Sequence, residues 1–268
     1  MISFPNAKIN LGLFITEKRA DGFHNLQSCF YPIGWSDALE LIPAEPFAFS
    51  SSGLPIPGET ATNLCVRAYE LLKKDFALPS IQMHLHKIVP IGAGLGGGSA
   101  DAAFALKLIN EQFALGLSVA QLQDYARRLG SDCAFFIQNK PVYCVEKGDV
   151  FEEIGVDLSG YSILLIYPNL AISTAEAYAN IRPTKPQRPL RDYLQQPIKT
   201  WRQTVRNDFE DSLFPNYPVL PKIKQQLYEL GAVYASMSGS GSTVYGIFDA
   251  PPVISNQFED YNVWQGKL

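Results

Sequence analysis

Between Pro90 and Asp101 the chain reads Pro-Ile-Gly-Ala-Gly-Leu-Gly-Gly-Gly-Ser-Ala-Asp, with glycine at 92, 94, 96, 97 and 98. Such a run is a poor interior for a helix or strand, where each glycine costs roughly 0.5–1 kcal/mol relative to alanine. It does let several backbone N–H groups converge on one point. The following stretch, Ala100–Phe113, is rich in helix formers and free of Gly and Pro. A helix start adds unsatisfied N–H groups and the positive end of its dipole. Strand, glycine turn and helix start together make an anion site suited to phosphate. Competing readings are weaker. Gly92, Gly94 and Gly97 spell G-x-G-x-x-G, but a dinucleotide fold wants an acidic residue closing a second strand about 20 residues on. Here 112–117 ends a helix and enters a glycine-containing loop. A Walker loop wants Gly-Lys-Ser/Thr at the helix start, and no Lys is present. A flexible turn is the bland alternative.

The rest of the chain gives this loop a setting. Ala7, Ile9, Leu11, Leu13 and Ile15 alternate with Lys8, Asn10, Gly12, Phe14 and Thr16, the period of a strand. Lys8 and Asn10 share one face, about 7 Å apart. Ala20-Asp21-Gly22 is a turn. Further strands are expected at 26–33, 38–43 and 46–50, an antiparallel, hairpin-rich start. A helix over 62–75 is followed by a strand over 80–88, which runs into the glycine loop. That strand carries His84 and His86 at i, i+2, a spacing that could bind metal; with no third ligand in view they read as ordinary strand histidines. Ser118 with Gln121 marks a capping box ahead of a helix at 119–129, and Ser173 with Glu176 marks another. Strands are expected at 142–146, 161–167, 232–236 and 243–248, with a helix at 219–230. The Pro-, Arg- and Gln-rich stretch 182–198 reads as surface loop with short helices. Strands and helices without strict alternation indicate an α+β fold.

At 268 residues, the chain suits one large or two modest domains, at roughly 100–200 residues each. Lys and Arg total 22 against 26 Asp and Glu, for a net charge of −4. That balance argues against a nucleic-acid partner. The cysteines at 29, 65, 133 and 144 form no C-x-x-C and read as reduced thiols in a cytosolic setting. The first residues lack a basic segment followed by an apolar one, and no window approaches the ~20 apolar residues of a spanning helix. The expectation is a soluble, cytoplasmic protein with neither a nucleic-acid nor a membrane partner.

A second cluster, Ser238-Gly239-Ser240-Gly241-Ser242-Thr243, lies between two expected strands and suggests support for the first loop. With it, Pro5-Asn6-Ala7-Lys8-Ile9-Asn10-Leu11 and the Gly92–Ala103 loop, the chain resembles the GHMP kinases in three ordered motifs. The resemblance implies a two-lobed α+β fold with the active site between the lobes, an N-terminal domain over 1–150 and a C-terminal domain over 151–268. Arg19-Ala20-Asp21-Gly22-Phe23-His24, Gly130-Ser131-Asp132 and Asn207-Asp208-Phe209-Glu210 narrow it further. They resemble members that use ATP to phosphorylate a cytidine-diphosphate sugar alcohol in non-mevalonate isoprenoid (terpenoid) precursor biosynthesis. Another small-molecule kinase of the family, of homoserine or mevalonate type, and a non-catalytic nucleotide-binding regulator are the alternatives.

Carried over residue by residue, the resemblance implies Lys8 and Asp132 as the catalytic pair. Asn10, Phe23, His24 and Tyr178 would bind the acceptor substrate. Asn63, Lys87, Gly92, Gly94, Leu95, Gly96, Gly97, Gly98, Ser99 and Ala100 would bind ATP, with Ser238, Gly239, Ser240 and Gly241 supporting the loop. The residue types fit. A carboxylate can accept a hydroxyl proton, and a lysine stabilises charge on a transferring phosphoryl group. Aromatic rings offer a base a stacking face. Bland alternatives are a solvated strand lysine at 8, a helix N-cap at Asp132, a strand-edge amide at Asn10 and core packing at Tyr178. Mg²⁺ is implied by the phosphate charge, without an acidic cluster to hold it. The chain departs from the family pattern at Phe23 (usually Tyr), Asn25 (commonly Glu), Ser131 (Ala) and Glu146-Lys147-Gly148-Asp149, which lacks the familiar Gly-x-Gly-Glu.

Overall fold

The computed structural model describes residues 1–254 and 256–268. β1 (Ile2–Ser3) and β2 (Asn6–Lys18) open the chain, and a turn returns it as β3 (His24–Ser36). β4 (Ala38–Pro43), β5 (Ala48–Gly53), α1 (Leu64–Lys73), β6 (Ile81–Lys87), α2 (Gly97–Gln112), α3 (Val119–Arg127) and α4 (Cys133–Gln138) follow. Next come β7 (Val142–Val145), β8 (Val150–Glu153), β9 (Ser162–Tyr167) and four short helices: α5 (Thr174–Ala179), α6 (Leu190–Leu194), α7 (Trp201–Thr204) and α8 (Asp208–Leu213). The chain ends with α9 (Val219–Glu229), β10 (Tyr234–Met237), β11 (Val244–Phe248) and β12 (Asn262–Lys267).

Two compact units result. One comprises Met1–Ala7, Trp35–Ile91 and Gly96–Lys140; the other comprises Lys8–Gly34, Gly92–Leu95 and Pro141–Leu268. In the first, the strands run in the order β1-β4-β6-β5. β6 alternates inside and outside as its sequence predicts, burying Ile81, Met83, Leu85 and Lys87. α2 packs against β4 and β1 of this sheet and against α1, and the buried residues of the two helices include Ala68, Leu72, Leu106 and Ile109. β4 pairs antiparallel with β6, but β5 pairs with it in parallel. The expected run of hairpins stops here because α1 lies between β5 and β6, the crossover that a parallel pair needs.

The second unit holds two sheets, β2-β3-β7-β8 and β10-β11-β9-β12. Its core joins Leu13, Ile15, Leu164, Ile166, Phe209, Leu220, Ile223, Met237 and Val244. In β2 the structure departs from the alternating pattern, since every residue from Ala7 to Ile15 is buried, Lys8 and Asn10 included. Polar groups on such a strand need partners in the interior. The capping box Ser118/Gln121 forms in both directions at α3. At α5 Ser173 accepts from the Glu176 N–H. α2 starts at Gly97, three residues before propensity alone places it, at a position where a Cβ would crowd Lys87 and Val89.

Candidate active site

The glycine loop takes a backbone that most side chains disfavour. Gly92, Gly94 and Gly96 have φ of 68°, 77° and 70°. At Gly94 a Cβ would stand 2.0 Å from the Ser238 carbonyl oxygen, so the position admits no side chain without moving backbone. Gly96 occupies the N-cap of α2 and supplies no side-chain cap. The first N–H groups of a 16-residue helix are therefore left to another acceptor, and an anion is the natural one.

The first part of the loop is locked within the second unit. Ser238 Oγ donates to Gly94 O at 2.9 Å and accepts from the Asn10 N–H at 3.2 Å. The Thr243 N–H donates to Ala93 O at 3.2 Å, and the Lys8 N–H to Leu95 O at 2.9 Å. Leu95 is buried, so it offers the loop its backbone alone. Gly239 backs on Gly94, Gly241 donates to Ser238 O, and Ser240 lies 3.5 Å from Thr174. Asn207, the N-cap of α8, donates to both Met237 O and Gly239 O at 2.8 Å. Glu210 accepts from the Met237 N–H at 2.8 Å and from Lys224 at 2.5 Å. These two members of the 207–210 motif thus fix the second cluster, which fixes the first. Their type was visible in sequence; their task was not.

Lys8 is buried, with its ammonium 2.6 Å from Asn10 Oδ1, 3.5 Å from Gly94 O and 4.5 Å above the centre of the Phe30 ring. Asn10 donates from Nδ2 to Ser28 Oγ at 2.8 Å, and the Ser28 hydroxyl donates in turn to Gly12 O at 2.7 Å. That relay fixes which way the Asn10 amide faces. In the first unit, Asp132 stands at the N-cap position of α4, yet its side chain makes no capping bond. The capping alternative is therefore not the arrangement found. Ser99, in the first turn of α2, bonds the Cys133 thiol; burial pushes that thiol up to about 11 and the Ser99 bond opposes it.

Asn63 and Lys87, both expected at the nucleotide, lie in the first unit. Asn63 caps α1, accepting from the Cys65 N–H at 2.9 Å. Lys87 is 2% exposed, and its ammonium lies 2.5 Å from Asp37 and 2.7 Å from Asp101. A Cβ on Gly97 would stand 3.0 Å from that nitrogen. Burial works against the Lys87 charge, but Asp101 and Asp37 raise its pKa above the ordinary lysine value. Burial pushes Asp101 up to about 7 despite Lys87. Sequence reading had no signal for Asp37, a lone acid between two strands, or for Asp101, which ends the glycine motif.

The aromatic residues meet in the second unit. His24 stacks on Tyr178, centroids 4.8 Å apart at 23°, and Tyr178 meets Phe209 edge-on at 4.8 Å. Desolvation, then the Lys18 charge, lowers the His24 pKa. Phe23 is 60% exposed, with the Lys147 ammonium 5.3 Å from its ring centre. The turn beneath is pinned by Asp21 accepting from the Phe23 N–H and by Arg19, which pairs with Asp21 and bonds Asn25. Asn25 bonds Glu17 in turn. His84 and His86 bond Ser50 and Ser52 on an exposed face. Among the described residues no group of three His, Cys, Asp or Glu could hold a metal ion.

Two family models match the chain: the GHMP kinases N terminal domain over residues 63–140 and the GHMP kinases C terminal over 191–261. A 4-diphosphocytidyl-2-C-methyl-D-erythritol kinase of Cytophaga hutchinsonii is 54% identical over 94% of this chain and 94% of its own length. A crystal structure of 4-(cytidine 5'-diphospho)-2C-methyl-D-erythritol kinase superposes with a TM-score of 0.83 at 25% identity, covering 99% of this chain and 98% of that one. A homoserine kinase from Cytophaga hutchinsonii shares the fold, with a TM-score of 0.62 at 14% identity over 98% of this chain and 94% of its own.

Proposed function

This chain belongs to the GHMP kinases, in the family of the 4-diphosphocytidyl-2-C-methyl-D-erythritol kinases, and we propose that it transfers the terminal phosphoryl group of ATP to the 2-hydroxyl of 4-diphosphocytidyl-2-C-methyl-D-erythritol. The reaction is a step of non-mevalonate isoprenoid precursor biosynthesis. The observation that carries the reading is the glycine loop, held in left-handed backbone by Lys8, Ser238 and Thr243 ahead of an uncapped helix start.

In this reading Gly92–Ala100 cradles the ATP phosphates. Lys8, steadied by Asn10, stabilises charge on the transferring group. Asp132 orients the acceptor hydroxyl and takes its proton. A carboxylate is a far weaker base than an alkoxide, so proton transfer comes late and orientation is much of its role. Mg²⁺ would supply charge neutralisation to the ATP phosphates; among the described residues no group of three His, Cys, Asp or Glu could hold it.

Phe23, His24 and Tyr178 recognise the cytosine. His24 and Tyr178 touch at 4.8 Å, so a base slipping between them must part the rings to about 7 Å, twice a van der Waals separation. Asn63 and Lys87 act on the ATP side, and the proposed N- and C-terminal domains, 1–150 and 151–268, are divisions of the sequence, since Lys8–Gly34 and Gly92–Leu95 pack in the second compact unit. Four buried cysteines that form no disulfide support a cytoplasmic location. No described helix is long and apolar enough to cross a membrane.

The deciding experiment incubates the protein with ATP, Mg²⁺ and one acceptor at a time: the cytidine-diphosphate substrate, homoserine or mevalonate. ADP release with the first alone is expected. Turnover on another acceptor alone, or nucleotide binding without turnover on any, overturns the reading.

A further inference from the structure

Asp37, between β3 and β4, takes no part in the steps above, yet its carboxylate is 1% exposed and used on every side. Oδ1 accepts from the N–H groups of Ile88 at 2.5 Å and Val89 at 2.8 Å. Oδ2 accepts from the Lys87 ammonium at 2.5 Å. Its own N–H donates to Pro5 O at 2.9 Å. The same ammonium reaches Asp101 Oδ2 at 2.7 Å, near the start of α2. β6 ends at Lys87, so Ile88 and Val89 have left the strand ladder, and Asp37 is their acceptor where the chain turns toward the glycines. One carboxylate–ammonium–carboxylate bridge therefore ties the stem before the loop to the helix after it.

We propose that Asp37 is a positioning residue for phosphoryl transfer: through Ile88 and Val89 on one side and Lys87–Asp101 on the other, it fixes both stems of the glycine loop so that α2 presents its N–H groups to the nucleotide already in place. This rests on the reading of the loop as the ATP site. Glycine-rich backbone loses more freedom on ordering than any other. Tying the stems during folding removes that loss from the binding step, which is how preorganisation raises affinity. Holding the fold is a poor explanation for the bridge. It buries three ionisable groups with two carboxylates sharing one ammonium, and Asp101 Oδ1 has no partner. An apolar trio of similar volume would pack a strand end on a helix at less cost. What an apolar trio cannot do is aim two amides and a helix start, and directional bonds do that.

The test is Asp37→Asn. The substitution keeps size but gives one carboxylate oxygen's place to an NH₂ group, which must face either the Lys87 ammonium or the Ile88 and Val89 amides, so one arm of the bridge opens. Calorimetry well below the variant's Tm should show ATP binding weakened at least tenfold, with the acceptor KM within twofold of wild type. Ile109→Ala, buried near the far end of α2, serves as the control: its Tm falls while its ATP affinity stays within twofold. If Asp37→Asn loses Tm but binds ATP like the control, Asp37 only holds the fold and the proposal is overturned. A wild-type protein that binds no ATP overturns the reading of the loop instead. Hydrogen exchange on nucleotide-free wild-type protein needs no variant. The Ile88 and Val89 amides should exchange slowly, like those inside β6, and exchange as fast as an open loop would overturn the bridge as a clamp.

Discussion

The glycine loop and the turn at 19–25 are each shaped by side chains that bond backbone, and they differ in where those side chains sit. The loop is held from the interior. Ser238, Lys8 and Asn207 are all buried, and their bonds have no competing water. The turn is held from the surface by Arg19, Asp21 and Glu17, where ion pairs are screened and add little. The loop offers a ligand its backbone; the turn offers Phe23 and His24 side chains. A backbone cradle fits the phosphates that any nucleotide carries, and it tolerates little change. Side chains on a lightly held turn can shift toward a particular base and can be exchanged without loss of the fold. On the proposed reading, shared chemistry lies on the rigid part and substrate choice on the adaptable one.

The largest effect should come from neither region. Asp132→Ala should lower kcat by about 10²–10⁴-fold, the usual range for a positioned acid–base group, with ATP affinity little changed. A folded variant with near-normal turnover removes Asp132 from the role. Within the comparison, Gly94→Ala is the sharper blow. Its methyl would stand 2.0 Å from a backbone oxygen at a φ of 77°, so ATP affinity should fall roughly 10- to 150-fold, the scale of one lost hydrogen bond to a charged group. The acceptor KM should barely move. Normal ATP binding by calorimetry would return the loop to the status of a turn.

Phe23→Ala should show the opposite pattern. Loss of one stacking ring costs about 1–3 kcal/mol, so the cytidyl-substrate KM should rise roughly five- to 150-fold. ATP affinity and Tm should hold, because the ring is 60% exposed. A fall in Tm with unchanged KM would make Phe23 a packing residue. The smallest effect concerns His24. Its pKa is lowered by desolvation and then by Lys18, so the ring is neutral at pH 7 and protonates only below the ordinary histidine range. Acidification should raise the cytidyl-substrate KM severalfold as the stacked ring takes up charge, and His24→Ala should abolish that limb and lower discrimination between cytidine and uridine substrates. Unchanged discrimination between cytidine and uridine substrates in His24→Ala would remove His24 from base recognition.

Much of this contrast is readable in sequence because it rests on local rules. Five glycines followed by helix formers can do little else but turn and start a helix, and Asp21-Gly22 reads as a turn on its own. The alternation in β2 gave the strand but misjudged its setting. Period two says which residues share a face; it does not say that both faces will be covered, which depends on segments such as 205–209 lying far along the chain. Propensity places the start of α2 too late for the same kind of reason, since Gly97 is helical where Lys87 and Val89 pack so close that a Cβ would crowd them. Asp37 left no trace, because a single acid between strands looks like any surface turn until Ile88, Val89 and Lys87 arrive against it. Asn10 was legible as a polar residue beside Lys8, but that its amide is oriented by Ser28 follows only from the bond chain through Gly12.

The bond between Ser238 and Gly94 joins residues 144 positions apart, and that separation sets a timetable for synthesis. At roughly 5–20 residues per second, a ribosome that has made the glycine loop needs roughly 7–30 seconds more before Ser238 exists. Throughout that interval the loop has its glycines and its following helix, but lacks the hydroxyl that holds the Gly94 carbonyl and the Thr243 amide that holds Ala93. A nascent chain halted before Ser238 carries the loop without its lock. The bonds by which the second cluster holds the Gly94 and Ala93 carbonyls therefore form only after Thr243 has been made.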